Sequence, residues 1–218
     1  MNLNELIKEL VMDLRANITD PKNRGSTKTD VFSGDDNTTT FTLSELGVKT
    51  ITLVKVDGVT KTYGTDYTVD LKEEDPSQYP TVTFTTAPPT GTDNVEVTFK
   101  YGETWVYPDY PRTDLSLNKY PRLALVELAS NSTPSSLWEN KIVTQFYFDV
   151  IAYADKAYTV RKILNEVKER ILNHGKSFYT VDNVIQPVGL GPLGAEPNRA
   201  DKILSQNLTI RVYHQEEE

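Results

Sequence analysis

Cysteine is absent from all 218 residues. That excludes disulfides, thiolate metal sites and cysteine nucleophiles, and it suits a chain made and assembled in a reducing cytosol. Histidine occurs only twice, at His174 and His214. Neither has a serine elbow or a metal-ligand spacing around it, so Ser-His catalysis and a histidine metal site have no basis in the sequence. Basic residues are in the minority, 23 Lys and Arg against 31 Asp and Glu, for a net charge of −8. No global basic field is present to hold nucleic acid. No uncharged apolar run approaches the ~20 residues that cross a bilayer. The first residues are charged every few positions and lack an apolar stretch, so no secretory signal is expected. Without one, the N-x-S/T matches at Asn17, Asn37, Asn131 and Asn207 carry no weight.

What is present is a hydrophobic share of 38%, enough for real cores, in a length that allows one large domain or two smaller ones. The most informative stretch runs from Lys141 to Gly175. It begins as a β-branched and aromatic run from Ile142 to Tyr153 with no Gly or Pro, which reads as a strand. From Asp155 the period changes. Ala157, Val160, Leu164, Val167 and Ile171 recur at steps of three and four, the mark of one side of an α-helix. Asp155 is expected as its N-cap and Gly175 as its C′ residue. A second helix is expected from Asn4 to Ile18, with Leu3, Leu6, Ile7, Leu10, Val11 and Leu14 as its core stripe. Its polar face would carry Glu5, Glu9 and Asp13 beside Lys8 and Arg15. Asp20-Pro21 ends that helix, and PKNRGSTKTD reads as a polar linker.

Between Val31 and Tyr101 threonine is abundant and helical periodicity disappears. TTTFTL, KTITLVKVDG, TDYTVDL, TVTFTT and NVEVTFKYG are short β runs separated by turns. Val95, Val97, Phe99 and Tyr101 alternate with polar residues, so one face is buried and one wet. Asp57-Gly58 is a hairpin signal, and Pro88, Pro89 and Gly91 form a second turn. Residues 103–112 form a Pro-aromatic connector. Its Trp105, Tyr107 and Tyr110 either stack on a sugar ring or, more commonly for such residues, pack a domain seam. Beyond it come strands at Arg122–Leu128, Ile142–Tyr153, Phe178–Val188 and Leu204–Tyr213. Loops are expected at Asn131–Ser136 and Gly189–Asp201.

The expected fold class is α+β: a mainly antiparallel four-strand sheet with two helices on one face, plus an inserted all-β sandwich or barrel. The first domain takes residues 1–20 and 113–218, and the inserted module residues 27–102. Candidate chemistry is thin. GLGPLG, from Gly189 to Gly194, matches a dinucleotide-loop pattern, but Pro192 and Pro197 block the helix that this mechanism needs. A mobile loop at a subunit contact is the expectation there. Asp35, Asp36 and Asn37 lack the Gly and Glu of a calcium loop and read as a turn. Glu73 to Asp75 and Glu216 to Glu218 read as solvated acidic segments. No catalytic residue, cofactor or metal site is expected.

The shell formed by residues 4–18 and 121–215 resembles tail terminator (tail completion) proteins of tailed phages and related archaeal viruses. The resemblance rests on element order and on FDVIAYADKAYTVRKILNEVKERIL followed by a strand, a Gly/Pro loop and QNLTIRVYH. The remainder, GDDNTTTFTL through TVTFTTAPPTGTDNVEVTFKYG, resembles small β modules of virion proteins. The resemblance implies a structural, non-enzymatic virion protein, assembled in the host cytoplasm. It would form a homohexameric ring at the tail/neck junction, capping the tail tube protein and meeting the head connector. DNA would pass a lumen without stable binding, and no membrane would be contacted. Phe146, Phe148, Val150, Leu190 and Leu193 are then the expected subunit-interface residues. A different neck or tail component, or a glycan-binding β module, are the alternatives.

Overall fold

The computed structural model describes residues 3–72, 77–108, 110, 119–134, 141–174, 184–195 and 203–217. The chain divides into two compact units, Arg24–Thr104 on the one hand and Met1–Asn23 with Trp105–Glu218 on the other. Strand dominates, with antiparallel sheets and two helices among the described residues.

The unit Arg24–Thr104 holds β1 (Ser26–Gly34), β2 (Thr40–Thr42), β3 (Val48–Val56), β4 (Val59–Thr60), β5 (Tyr67–Asp70), β6 (Thr81–Phe84) and β7 (Gly91–Tyr101). They form a four-stranded sheet in the order β1-β7-β3-β4 and a three-stranded sheet in the order β2-β6-β5. The alternation read at Val95, Val97 and Phe99 is real: all three are buried, and the residues between them are half-buried. An aromatic chain joins the sheets, with Phe32 of β1 5.2 Å from Phe41 of β2, and Phe41 5.7 Å from Phe84. Asp57 and Gly58 turn the β3–β4 hairpin with φ of 50° and 76°, the left-handed values that favour this dipeptide. The supposed linker differs. Ser26–Asp30 opens β1, which pairs with β7 from Ser26↔Tyr101 onward. Its polarity misled because Asp30 is buried but satisfied, accepting from Ser44 N at 2.7 Å and Ser44 Oγ at 2.6 Å.

The second unit holds α1 (Leu3–Asn17), β8 (Val106–Tyr107), β9 (Arg122–Pro134), β10 (Lys141–Ala154), α2 (Ala157–His174), β11 (Val184–Leu190), β12 (Gly194–Ala195) and β13 (Leu204–Glu217). The sheet order is β11-β13-β10-β9-β8, with β12 also on β13, so there are six strands where four were expected. The two additions are two-residue strands, too short to show a period in sequence. Among the described residues of this sheet, only the β8–β9 pair is parallel. Val160, Ile163, Leu164, Val167 and Ile171 of α2 and Leu6, Leu10, Val11 and Leu14 of α1 share one core with Phe148, Val150, Leu208 and Ile210 of the sheet. Each such side chain contributes about 1.5–3 kcal/mol by leaving water. The first intrahelical bond recorded for α2, Val160 N to Lys156 O, puts Lys156 rather than Asp155 at the cap. Gly175 lies outside the described residues.

Three further expectations are corrected. The loop from Asn131 is strand as far as Pro134, because β10 offers a backbone partner along its whole length. The Gly/Pro loop from Gly189 is pinned over the residues described, as far as Ala195. Gly189 and Leu190 belong to β11, Gly191 N donates to Asn207 O at 2.9 Å, and Gly194–Ala195 pairs with Leu204–Ser205. The α1 polar face is not all wet. Asp13 and Arg15 are 1% and 8% exposed. Arg170 of α2 forks onto Asp13, Nε at 3.1 Å and Nη2 at 2.5 Å, while Arg15 Nε donates to Val106 O at 3.1 Å.

Candidate functional site

The expected interface residues separate when placed in the fold. Phe148 and Val150 lie in the helix-covered core with no exposure. Phe146 and Leu193 are half-buried against that same core. Leu190, 49% exposed on β11, is the most exposed of the five. Sequence did not separate them because β10 carries apolar residues on both faces, and the position of the helices decides which face is core.

The opposite sheet face has two halves. One is a small apolar cluster of Tyr120, Ala124, Ile151, Tyr153 and Ile203. The other is polar. Asp149 accepts from Asn207 Nδ2 at 2.8 Å and from Thr209 Oγ1 at 2.6 Å, tying β10 to β13. Tyr147 OH donates to Gln145 Oε1 at 3.1 Å. The Arg211 guanidinium sits 4.6 Å from the Tyr213 ring centre and donates to Gln186 Oε1 at 3.3 Å, reaching from β13 to β11. These groups are acceptors and donors in mutual contact, without the nucleophile–base pairing that covalent catalysis requires.

Other residues singled out earlier take structural places. Trp105 is buried in the core of the α+β unit and is closed to a sugar ring. The Arg122 guanidinium covers the Tyr107 ring at 3.5 Å, and Tyr110 is exposed. Asp35 closes a turn, accepting from Asn37 N at 2.9 Å and Thr38 N at 2.6 Å. The Thr38 amide, followed by its hydroxyl, holds the Asp35 carboxyl below its ordinary range. No helix follows GLGPLG among the described residues: Gly194–Ala195 is a strand. His174 ends α2 and His214 lies in β13, their side chains outside the described residues, as are residues 73–75 and 218. Among the described residues no group of three His, Asp or Glu is placed to hold a metal ion. No described helix is long and apolar enough to cross a membrane.

No family model matches the chain. A stretch of 93 residues is 31% identical to a CTP synthase of Protochlamydia amoebophila (strain UWE25), covering 42% of this chain and 17% of that protein. The matched stretch thus spans about a sixth of the length of that curated relative.

Proposed function

We propose that the chain is a structural virion protein that assembles into a ring, a homohexamer by the resemblance, at the junction of tail and neck. There it caps the tail tube and meets the head connector. What supports this is the residual surface of the α+β unit. Its helices fill one face of the sheet, while Asp149, Asn207, Thr209 and Arg211 decorate the other with a half-buried polar array that has no reacting group. Such a face is stable beside other protein or at the wall of a water-filled lumen. We read the sheet as a four-strand terminator-like shell with β8 and β12 as additions, and the Arg24–Thr104 unit as a β sandwich inserted after the first helix. The net charge of −8 disfavours stable binding of passing DNA.

Size-exclusion chromatography with light scattering, and negative-stain images of the product alone or on tail tubes, test the ring. A persistent monomer that never joins tail components refutes it. The partial likeness to a CTP synthase supports no activity in this chain, and CTP synthesis is expected to be absent in an assay of the purified protein. The glycan-binding alternative loses its platform because Trp105 is buried in the other unit.

A further inference from the structure

The far end of the Arg24–Thr104 unit combines an opening with a rim of carboxylates. The β1–β7 ladder runs from Ser26↔Tyr101, close to both connections with the other unit, to Gly34↔Gly91. At ~3.4 Å per residue, that second end lies about 27 Å from the connections. There an opening of about 250 Å³ is walled by Val56, Phe84, Pro88 and Pro89, with Lys61 and Asp66 as its charged members. Asp57 follows Val56 and accepts from Asn94 Nδ2 at 3.2 Å, and the same amide donates to Pro89 O at 2.9 Å. Asp36 N donates to Pro88 O at 3.0 Å. Asp35 precedes Asp36 and Asp93 precedes Asn94, so four exposed aspartates stand beside the opening.

The outward face of α2 has the opposite charge. Tyr158, Arg161, Lys162, Lys168, Glu169 and Leu172 fall within about 120° of the helix circumference. Three are cations and one is an acid. No ion pair among the described residues engages the three cations. Glu166, the next acid on the helix, is taken by Thr19, whose amide and hydroxyl donate to it at 2.8 and 2.7 Å. Tyr158 projects from this face at 77% exposure.

We infer that the occupant of the outward α2 face is the far end of the Arg24–Thr104 unit of a second copy. Tyr158 enters the opening, its ring on Phe84 and the prolines and its hydroxyl toward Lys61 and Asp66. Arg161 and Lys162 lie against Asp36, Asp57 and Asp93. A phenol needs apolar walls with a polar group at one end, and the opening supplies both. Like charges oppose pairing of two α2 faces or of two acidic ends, so the contact joins unlike patches. Such a contact repeats head to tail, as a ring requires. This inference rests on the proposed ring and assigns one of its contacts to particular residues.

Two full-length variants reverse one side each, Arg161→Glu/Lys162→Glu on α2 and Asp57→Lys/Asp93→Lys on the far end. Light scattering follows each alone and the two mixed, beside the parent and Tyr158→Ala, in salt of about 0.05 and 0.5 M. The parent is expected to associate, and less so in high salt. Each reversed variant should lose association alone and regain it in the mixture, where every contact again joins opposite charges. Tyr158→Ala should weaken association about tenfold or more. Asp57→Asn/Asp93→Asn suits the left-handed backbone at both positions, φ 50° and 52°, and should weaken association without strain. Association unchanged in the Tyr158, α2 and Asn variants overturns this contact while leaving the ring intact. A mixture that stays dissociated, from variants with parent-like circular dichroism, overturns the pairing. A parent that is monomeric at both salt concentrations overturns the contact and the ring together.

Discussion

Asp13 offers the sharpest quantitative check on how the α+β unit is held together. It is 1% exposed, and its partner Arg170 is 20% exposed. Asp13 accepts both arms of the guanidinium and also Asn17 Nδ2 at 2.9 Å. Removing one member of a buried pair costs ~3–5 kcal/mol, because the survivor keeps its desolvation penalty without its partner. Arg170 retains some water, so the lower end applies, about 3 kcal/mol for Asp13→Ala. Asp13→Asn keeps one acceptor and should lose roughly half as much. Both tryptophans, Trp105 and Trp138, fall outside Arg24–Thr104, so their fluorescence follows this unit alone. With a urea slope of about 2 kcal/mol/M, the midpoint should fall by about 1.5 M. Arg170→Ala should cost a similar amount, and the double variant should cost clearly less than the sum of the two. A loss below about 1 kcal/mol for Asp13→Ala would show that the pair behaves as a solvated surface bridge, and the account of how α1 is anchored would be wrong.

Other outcomes follow from the same placements. Phe148→Ala should destabilise the α+β unit by about 3–5 kcal/mol, whereas Leu190→Ser should change stability by no more than about 0.5 kcal/mol, both read by urea titration. Gly191→Ala would drive its new methyl into Asn207 Oδ1, the side chain that donates to Asp149. Its cost of about 1–3 kcal/mol should be partly relieved in Gly191→Ala/Asn207→Ala, measured the same way. The Asp35 carboxyl is depressed from an ordinary value of 3.8. It therefore contributes stability above that value and loses it as pH falls through its lowered pKa, so the melting temperature of Asp35→Asn should depend less on pH below 4 than that of the parent.

Several elements were legible because they are written in local periodicity. The steps from Val160 to Ile171 define the buried side of α2, and the alternation from Val95 to Phe99 defines the inward face of β7. Asp57-Gly58 marks its turn through backbone conformation alone. Misreadings arose where a distant partner changed the meaning of a residue. Asp13 and Arg15 look like a wet helix face until Arg170 and the Val106 carbonyl are brought to them. Ser26–Asp30 looks like linker until β7 pairs with it. The extent of β9 beyond Leu128 depends on the length of β10 beside it.

The amino-acid order by itself determined the two helices, the longer periodic strands and that the chain carries no thiol chemistry, since period and composition are properties of neighbours along the chain. Only the tertiary structure decided which side of β10 is core. That strand carries apolar residues on both faces, and the choice was made by α1 and α2 settling over Phe148 and Val150, leaving Tyr147 and Asp149 on the other side. The bulges at Leu128 of β9 and Val188 of β11 were likewise beyond reach of the sequence, because a register slip is a relation between two strands and has no counterpart in either one alone.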